Sequence, residues 1–281
     1  MVCAVALAAC SPPAGRAAGP LRVVATTSTL ASLAQGAIGV TLTVRSLVPV
    51  GVSPEDYQPT PADITALHDA DVLVENGAGL EGWLDATVHN AANPGLRIVV
   101  CTDGLPVRNG NPHMWMDPEF ARAYVRAIAA EVERADPSRA GSYRVAAAAY
   151  DRDLAALTRR TQRKIDTLPP NRRTILVFHD ALYYYARRFG LHELGAIEPA
   201  AGAEPNPEHL AELVTLARQS HVPAIFAEHE YSAKLAQTVA DSGGINRIAY
   251  TYDDSLGTQP NVATYIGMID TDTDTIVEAL R

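Results

Sequence analysis

Two histidines lie in segments that could hold a metal ligand firmly in place. His113 lies between two prolines in the segment Asn111-Pro112-His113-Met114-Trp115-Met116-Asp117-Pro118. His179 follows the apolar run Ile175-Leu176-Val177-Phe178 and is followed by Asp180. Neutral imidazole is a common ligand of transition metals, and a backbone pinned by proline suits a loop that carries a ligand. The other six histidines occur in contexts typical of solvated side chains.

Two acidic residues occupy comparable places in the chain. Glu55 lies in a loop after one predicted strand, and Asp254 lies at the end of another. A single acidic residue in a loop is usually only solvated. Four metal-competent side chains at strand ends or in connecting loops, two from each half of the chain, instead indicate one site for a divalent metal.

The elements that must position these side chains alternate between strand and helix. The predicted strands are 21–28, 42–49, 71–76 and 97–101 in the first half and 174–181, 222–228 and 247–254 in the second. Their nearly continuous Val, Ile and Leu runs are typical of parallel strands buried on both faces. In open α/β sheets, ligands bind beyond the carboxyl ends of the strands, which is where His179 falls.

A different texture separates the two halves. Residues 118–168 carry almost no strand or turn signals, and Pro137 is predicted to begin a second helix. We therefore predict an α/β protein with two lobes, each a mostly parallel sheet with flanking helices, joined by one long rigid helix of ~37 Å. The expected divisions are a leader and tether over 1–20, a lobe over 21–141, the linking helix over 142–168 and a lobe over 169–281.

Composition narrows the class of protein. Of the 281 residues, 47% are hydrophobic and 20% charged, as in a globular protein. Acidic residues outnumber basic ones 32 to 23, which argues against a nucleic-acid surface and suits a protein that binds cations. The three cysteines, Cys3, Cys10 and Cys101, have no paired spacing, which excludes a disulfide framework and a cysteine zinc knuckle.

The first ten residues resemble part of an export signal. Leu7-Ala8-Ala9-Cys10 is similar to the lipobox of bacterial lipoproteins, and the following residues 11–15 are typical of a flexible tether. The basic region and the long apolar core of a full signal are short here, which indicates a start site assigned too late. We expect an extracytoplasmic protein that is anchored to the membrane through Cys10, or else periplasmic.

From about Leu21 to Leu280 the chain resembles the zinc/manganese-binding solute-binding proteins of bacterial ABC importers. The segment from Asn111 to Pro118 is similar to their NPHxWxDP signature, and the segment from Phe178 to Tyr185 to their FHDAFxYF segment. Further matches are Glu204-Pro205, Ala227-Glu228 and Asp254-Ser255-Leu256. The resemblance implies two α/β lobes with one metal ion in the cleft between them, a permease partner in the membrane and a monomeric state.

The resemblance implies a ligand set with one departure from the family pattern. The first ligand is usually a histidine in a (D/S)PHxYxP motif, and Glu55 stands in its place in the segment from Ser53 to Pro59. Either Glu55 binds the metal or this ligand is replaced by Asp56 or water. We favour Glu55, because a carboxylate binds first-row divalent metals directly. The expected ligands are Glu55, His113, His179 and Asp254.

The identity of the metal is less sharply indicated. Two histidines with two carboxylates suit manganese or iron, whereas His179 stands where manganese-type members tend to carry glutamate. We expect zinc, with Mn²⁺ or Fe²⁺ as alternatives. We predict a binding protein and no enzyme, because no second-metal cluster or nucleophile motif occurs. The open alternatives are a metal-dependent hydrolase with Glu228 as general base, and a surface adhesin.

One acidic run is interpreted as structural. Asp270-Thr271-Asp272-Thr273-Asp274 imitates the start of an EF-hand loop, but Thr275 stands where that loop needs glycine. We predict that this run forms the capped start of the last helix.

Overall fold

The computed structural model describes residues 19–40, 42–198, 205–229 and 233–281. Cys10 and the tether after it lie outside the described residues, and so does Glu204. The expectation that Cys10 carries an acyl anchor therefore stays a prediction.

Two four-stranded parallel sheets form the framework of the described residues. The first contains β1 (Val23–Ala25), β2 (Val44–Ser46), β3 (Val72–Glu75) and β4 (Arg97–Val100). The second contains β5 (Thr174–Val177), β6 (His192–Ala196), β7 (Ile225–Glu228) and β8 (Ile248–Thr251). The strand orders are β2-β1-β3-β4 and β6-β5-β7-β8, the same pattern used twice. The predicted α/β class with two parallel sheets is confirmed.

Helices flank both sheets. The first five are α1 (Ser28–Ile38), α2 (Pro61–Asp69), α3 (Leu84–Ala91), α4 (Pro118–Ala135) and α5 (Ala140–Ile165). They are followed by α6 (Tyr183–Phe189), α7 (Pro207–Ser220), α8 (Ala233–Gly243) and α9 (Tyr265–Leu280). None of the described helices combines the length and apolar character that crossing a membrane requires.

Local side-chain chemistry starts the helices nearest the metal-competent residues. The Asp63 carboxylate accepts hydrogen bonds from the Thr60 backbone N–H at 2.8 Å and its hydroxyl at 2.7 Å, and Pro61 takes the first helical position of α2. The Asp117 carboxylate accepts the backbone N–H of Glu119 at 2.9 Å and so caps α4. Both caps agree with the sequence pattern.

The 26-residue helix α5 packs on elements from both halves of the chain. It contacts α1 and α4 on one side and α9 on the other. A single hydrophobic cluster runs from Val23 of β1 through Leu157 of α5 to Val177 of β5 and Ile269 of α9. The long helix is therefore continuous with the core around both sheets, and is not a free strut between them.

Three elements differ from the sequence-based expectation. The sequence pattern did not predict α3 or β6. Strand β6 lies at the edge of its sheet, and its residues are exposed or only half-buried and include polar His192 and Glu193. The prediction that the last helix starts near Asp270 was wrong. Helix α9 begins at Tyr265, because the Thr264 hydroxyl accepts the Gly267 N–H, and Asp270 lies inside the helix.

The seam between α1 and α5 gives a test of this packing. A Cβ atom added at Gly36 would lie 2.3 Å from two ring carbons of Tyr150. Gly36→Ala should therefore destabilise the protein by about 1–3 kcal/mol through overpacking, measured by urea unfolding. Gly141→Ala is the matched control, since its added Cβ meets nothing within 4 Å at an exposed helical position. It should be neutral or slightly stabilising. Equal effects of the two substitutions would contradict the packing described here.

Candidate metal centre

The four residues singled out by sequence converge on one place. Ligand atoms of Glu55, His113 and His179 lie within 4.8 Å of one another. Asp254 joins them through Oδ1, which is 3.3 Å from Nε2 of His113. The four side chains follow the carboxyl ends of β2, β4, β5 and β8, so each sheet supplies two of them. Strand ends, where parallel sheets bind ligands, thus form the walls of the site.

Asn111 fixes the tautomer of the His113 ring. The side-chain oxygen of Asn111 lies 3.0 Å from the backbone nitrogen of His113 and 3.0 Å from its Nδ1. A carbonyl oxygen can only accept hydrogen bonds, so Nδ1 carries the proton in the neutral ring. The Nε2 lone pair of His113 therefore points into the site, 3.2 Å from Nε2 of His179.

Glu228 orients the His179 ring in the same way. Its Oε1 lies 3.0 Å from Nδ1 of His179, and both side chains are 2% exposed. The carboxylate accepts a hydrogen bond from Nδ1–H and leaves Nε2 to bind a cation, as in carboxylate–histidine pairs at many metal sites. Sequence reasoning placed Glu228 only as a general base in the alternative hydrolase. Its position at the end of β7, the strand next to β5, was the signal for an orienting role.

The inward-facing atoms are all electron-pair donors. Besides the two imidazole nitrogens, Oε1 of Glu55 lies 3.5 Å from Nε2 of His113. Oδ1 of Asp254 is buried and faces Nε2 of His113. Acceptors held this closely repel one another unless a proton or a metal cation lies between them. Two nitrogens and at least two carboxylate oxygens form a donor set that fits a divalent transition metal.

The pKa values report the same excess of negative charge. Burial would lower the pKa of His179, but the carboxylates of Glu228, Asp254 and Glu55 outweigh burial and raise it to about 10. Burial would raise the pKa of Asp254, but His113, His179 and the Ser53 hydroxyl bring it below its ordinary value. Without a metal, a proton on His179 therefore neutralises part of the charge of ionised Asp254.

Burial has the largest effect on the pKa of Glu55, the most exposed of the four side chains. The pKa of Glu55 is raised, chiefly by burial and partly offset by His113. Its side chain is 22% exposed, the largest exposure in the set. Glu55 is thus the most solvent-accessible of the four candidate ligands.

The Glu55 loop is braced by aromatic side chains. The Trp83 indole N–H donates to the Pro54 carbonyl at 2.8 Å, and the Tyr57 hydroxyl donates to Asp63 at 2.7 Å. The Tyr57 and Trp83 rings meet edge to face at 5.2 Å between centroids. A cavity of about 250 Å³ beside Glu55 also touches both histidines and gives a cation space to approach.

The His113 segment ties the two halves of the chain together. The Trp115 indole N–H donates to the Asp253 carbonyl at 2.8 Å, and the Tyr265 hydroxyl donates to the Trp115 carbonyl at 2.7 Å. Asp117 binds Arg188 of α6 through both carboxylate oxygens. Trp115 and Asp117, which are close to His113 in sequence, therefore contact residues of the second half of the chain beside the site.

A second group of acidic residues lies behind His179. Ligand atoms of His179, Glu228 and Asp253 lie within 4.8 Å of one another, and all three residues are buried. Oδ1 of Asp253 accepts the backbone N–H of Asp254 at 2.7 Å. Glu228 faces Nδ1 of His179 and so orients the imidazole. Glu228 therefore lies on the side of the ring opposite to Nε2, which faces His113.

Comparison with known proteins gives matches over most of the chain. The family model "zinc-uptake complex component A, periplasmic" matches residues 23–279. The manganese-binding lipoprotein MntA of Halalkalibacterium halodurans is 31% identical over 265 residues, covering 92% of this chain and 88% of the relative. The iron-binding protein YfeA of Yersinia pestis is 29% identical over 265 residues, covering 92% and 85%.

Solved structures show the same fold. The periplasmic zinc-binding protein TroA from Treponema pallidum matches with a TM-score of 0.86 and 25% identity, covering 93% of this chain and 99% of that chain. The periplasmic metal-binding protein from Candidatus Liberibacter asiaticus matches with a TM-score of 0.83 and 26% identity, covering 93% and 100%.

Metal binding should release a proton from His179. With a pKa of about 10 in the metal-free protein, the ring is protonated at pH 8 and a metal must displace that proton. We expect zinc to release about one proton, measured from the dependence of the calorimetric enthalpy on buffer ionisation. Glu228→Gln should remove most of this release and weaken binding about ten- to a hundredfold. Glu278→Gln, at an exposed position, is the control.

The same proton affects the stability of the metal-free protein. A raised histidine pKa stabilises the fold fully below the ordinary value of 6.5, and this contribution is lost as pH rises through about 10. The free energy of unfolding should therefore fall over that interval, and less steeply in Glu228→Gln. Zinc binding without proton release at pH 8 would contradict the raised pKa of His179 in the metal-free protein.

Proposed function

Because the chain belongs to the zinc-uptake complex component A family, we propose that it captures a divalent transition metal outside the cytoplasmic membrane and delivers it to an ABC permease. It is a metal-binding substrate-binding protein and not an enzyme. The observation that carries the proposal is the pair of Nε2 atoms, of His113 and His179, that lie 3.2 Å apart beside two carboxylates. The metal is cargo, bound and released without turnover.

The division of the ligands suggests how cargo is released. Glu55 and His113 come from the first half of the chain, and His179 and Asp254 from the second. Each half alone offers one nitrogen and one carboxylate, which is a weak site for any first-row metal. Displacing the loops that carry one of these pairs on the permease would split the donor set and free the ion. Tight capture and release then use the same four residues.

Zinc is the metal we expect to bind most tightly, with manganese next. Affinity at a site of nitrogen and oxygen ligands rises from Mn²⁺ through Fe²⁺ to Cu²⁺ and is lower again at Zn²⁺, which still binds more tightly than Mn²⁺ at most sites. The two carboxylates supply hard oxygen donors, which reduce the margin by which the affinity for zinc exceeds that for manganese. The relatives are named for manganese, iron and zinc, so the choice of metal in this chain depends on its own ligands.

The alternative functions have less support. A hydrolase would need Glu228 beside a water molecule on the metal, but Glu228 is 2% exposed and contacts the far nitrogen of His179. The surface-adhesin hypothesis rests on no feature of the described residues. The relatives named as lipoproteins support an extracytoplasmic location for this chain.

Substitution of Glu55 tests the proposed ligand set. Metal at 1,000 times its dissociation constant stabilises the folded protein by ~4 kcal/mol, and a hundredfold weaker site would retain only ~1.4 kcal/mol. Glu55→Ala should therefore lose most of the metal-dependent rise in thermal stability. Asp56→Ala is the control, since Asp56 is the exposed neighbour of Glu55. Loss of binding in Asp56→Ala with none in Glu55→Ala would show that the wrong carboxylate has been chosen.

Replacing the carboxylate with imidazole tests selectivity. Glu55→His supplies a third nitrogen donor, and imidazole suits zinc whereas carboxylate suits manganese. The ratio of zinc to manganese affinity, measured by competitive titration, should rise above that of the wild type. An unchanged ratio would mean that this position does not contact the metal.

The stiffness of α5 predicts a small change of shape on binding. We propose that the lobes 21–141 and 169–281 move little, since α5 shares one hydrophobic cluster with both sheets. Small-angle scattering of metal-free and loaded protein should give nearly the same radius of gyration, while the loops beside the site rearrange. A large compaction on loading would indicate a flexible hinge instead.

A further inference from the structure

The buried hydroxyl of Ser53 connects the two carboxylates of the site. It donates to Oδ2 of Asp254 at 3.2 Å and accepts the backbone N–H of Glu55 at 3.3 Å. Ser53 is 8% exposed and Asp254 is 1% exposed. One side chain of the first half of the chain therefore holds a ligand from the second half while also shaping the turn that carries its own.

The two oxygens of Asp254 have different surroundings as a result. Oδ1 lies 3.3 Å from Nε2 of His113, on the side where the donor atoms converge. Oδ2 is the oxygen that receives the Ser53 hydrogen bond. A carboxylate whose second oxygen is held in this way presents one oxygen to a metal and keeps the other turned away.

We propose that Ser53 is a specificity-determining residue, acting through Asp254, that limits this ligand to one oxygen. The inference rests on the proposed function, since it concerns the same metal. Held so, the site offers two nitrogens, one oxygen of Asp254 and one or two oxygens of Glu55. Four or five ligands suit Zn²⁺, which is mostly four-coordinate in proteins, better than Mn²⁺, which favours six oxygen-rich ligands. Ser53 therefore biases the site toward zinc.

Removing the hydroxyl should change coordination as well as affinity. In Ser53→Ala, Asp254 can bind through both oxygens and the coordination number rises. Zinc affinity should fall by about tenfold or more, as for other residues that orient metal ligands. Manganese affinity should fall less, so that the zinc-to-manganese ratio decreases. Co²⁺ used as a probe should show weaker visible absorption, because its d–d bands lose intensity when the geometry leaves the tetrahedron.

Two matched variants separate this role from a general effect on the fold. Ser255 lies in the same buried region, where its hydroxyl accepts the Gly51 N–H at 2.7 Å and lies 3.2 Å from that of Ser28. Ser255→Ala should leave the zinc-to-manganese ratio and the Co²⁺ spectrum as in the wild type. Ser53→Thr keeps the hydroxyl and should do the same. If Ser53→Ala does not fold, Ser53→Gly removes the same donor.

The outcomes distinguish the inference from the proposed function. A lower zinc-to-manganese ratio with a weaker Co²⁺ spectrum, confined to variants without the Ser53 hydroxyl, supports it. Unchanged selectivity and spectrum in Ser53→Ala overturn it, and so does an equal loss of both metals in Ser53→Ala and Ser255→Ala. A wild-type protein that binds neither zinc nor manganese would overturn the proposed function itself.

Discussion

The structure depends on electron-pair donors that it holds close together, with one proton on His179 to share among them in the metal-free protein. Nε2 of His113 and Nε2 of His179 lie 3.2 Å apart, and carboxylate oxygens of Asp254 and Glu55 lie 3.3 and 3.5 Å from the first of them. The proton on His179 offsets part of the repulsion among these donors in the metal-free protein. The repulsion that remains favours the binding of a divalent cation in place of that proton.

Much of the surrounding structure serves to maintain that arrangement. Asn111 and Glu228 each accept a hydrogen bond from the outer nitrogen of one histidine, so both inner nitrogens face the site. Trp115 hydrogen-bonds the Asp253 carbonyl and joins the two halves beside the site. Helix α5 shares its apolar side with the core around both sheets. The donors are therefore held by rigid elements, and the ion meets a site that is already assembled.

The sequence predicted the fold and the candidate ligands for physical reasons that differ. Continuous Val, Ile and Leu runs indicated buried parallel strands, and the topology of such sheets brings strand ends together. The edge strand β6 was missed, because it begins with exposed His192 and half-buried Glu193 and lacks an apolar run. The role of Ser53 was also missed, since its contact with Asp254 joins residues 201 positions apart. Contacts of that kind follow from packing and have no local signature.

The most direct test is an anomalous-difference map from crystals of the protein loaded with zinc or manganese. The account predicts one strong peak between the two inner histidine nitrogens, about 2.0–2.2 Å from each nitrogen and from an oxygen of Glu55 and of Asp254. A peak on the other side of His179, among Glu228 and Asp253, would contradict it, because those residues would then be ligands and not supports.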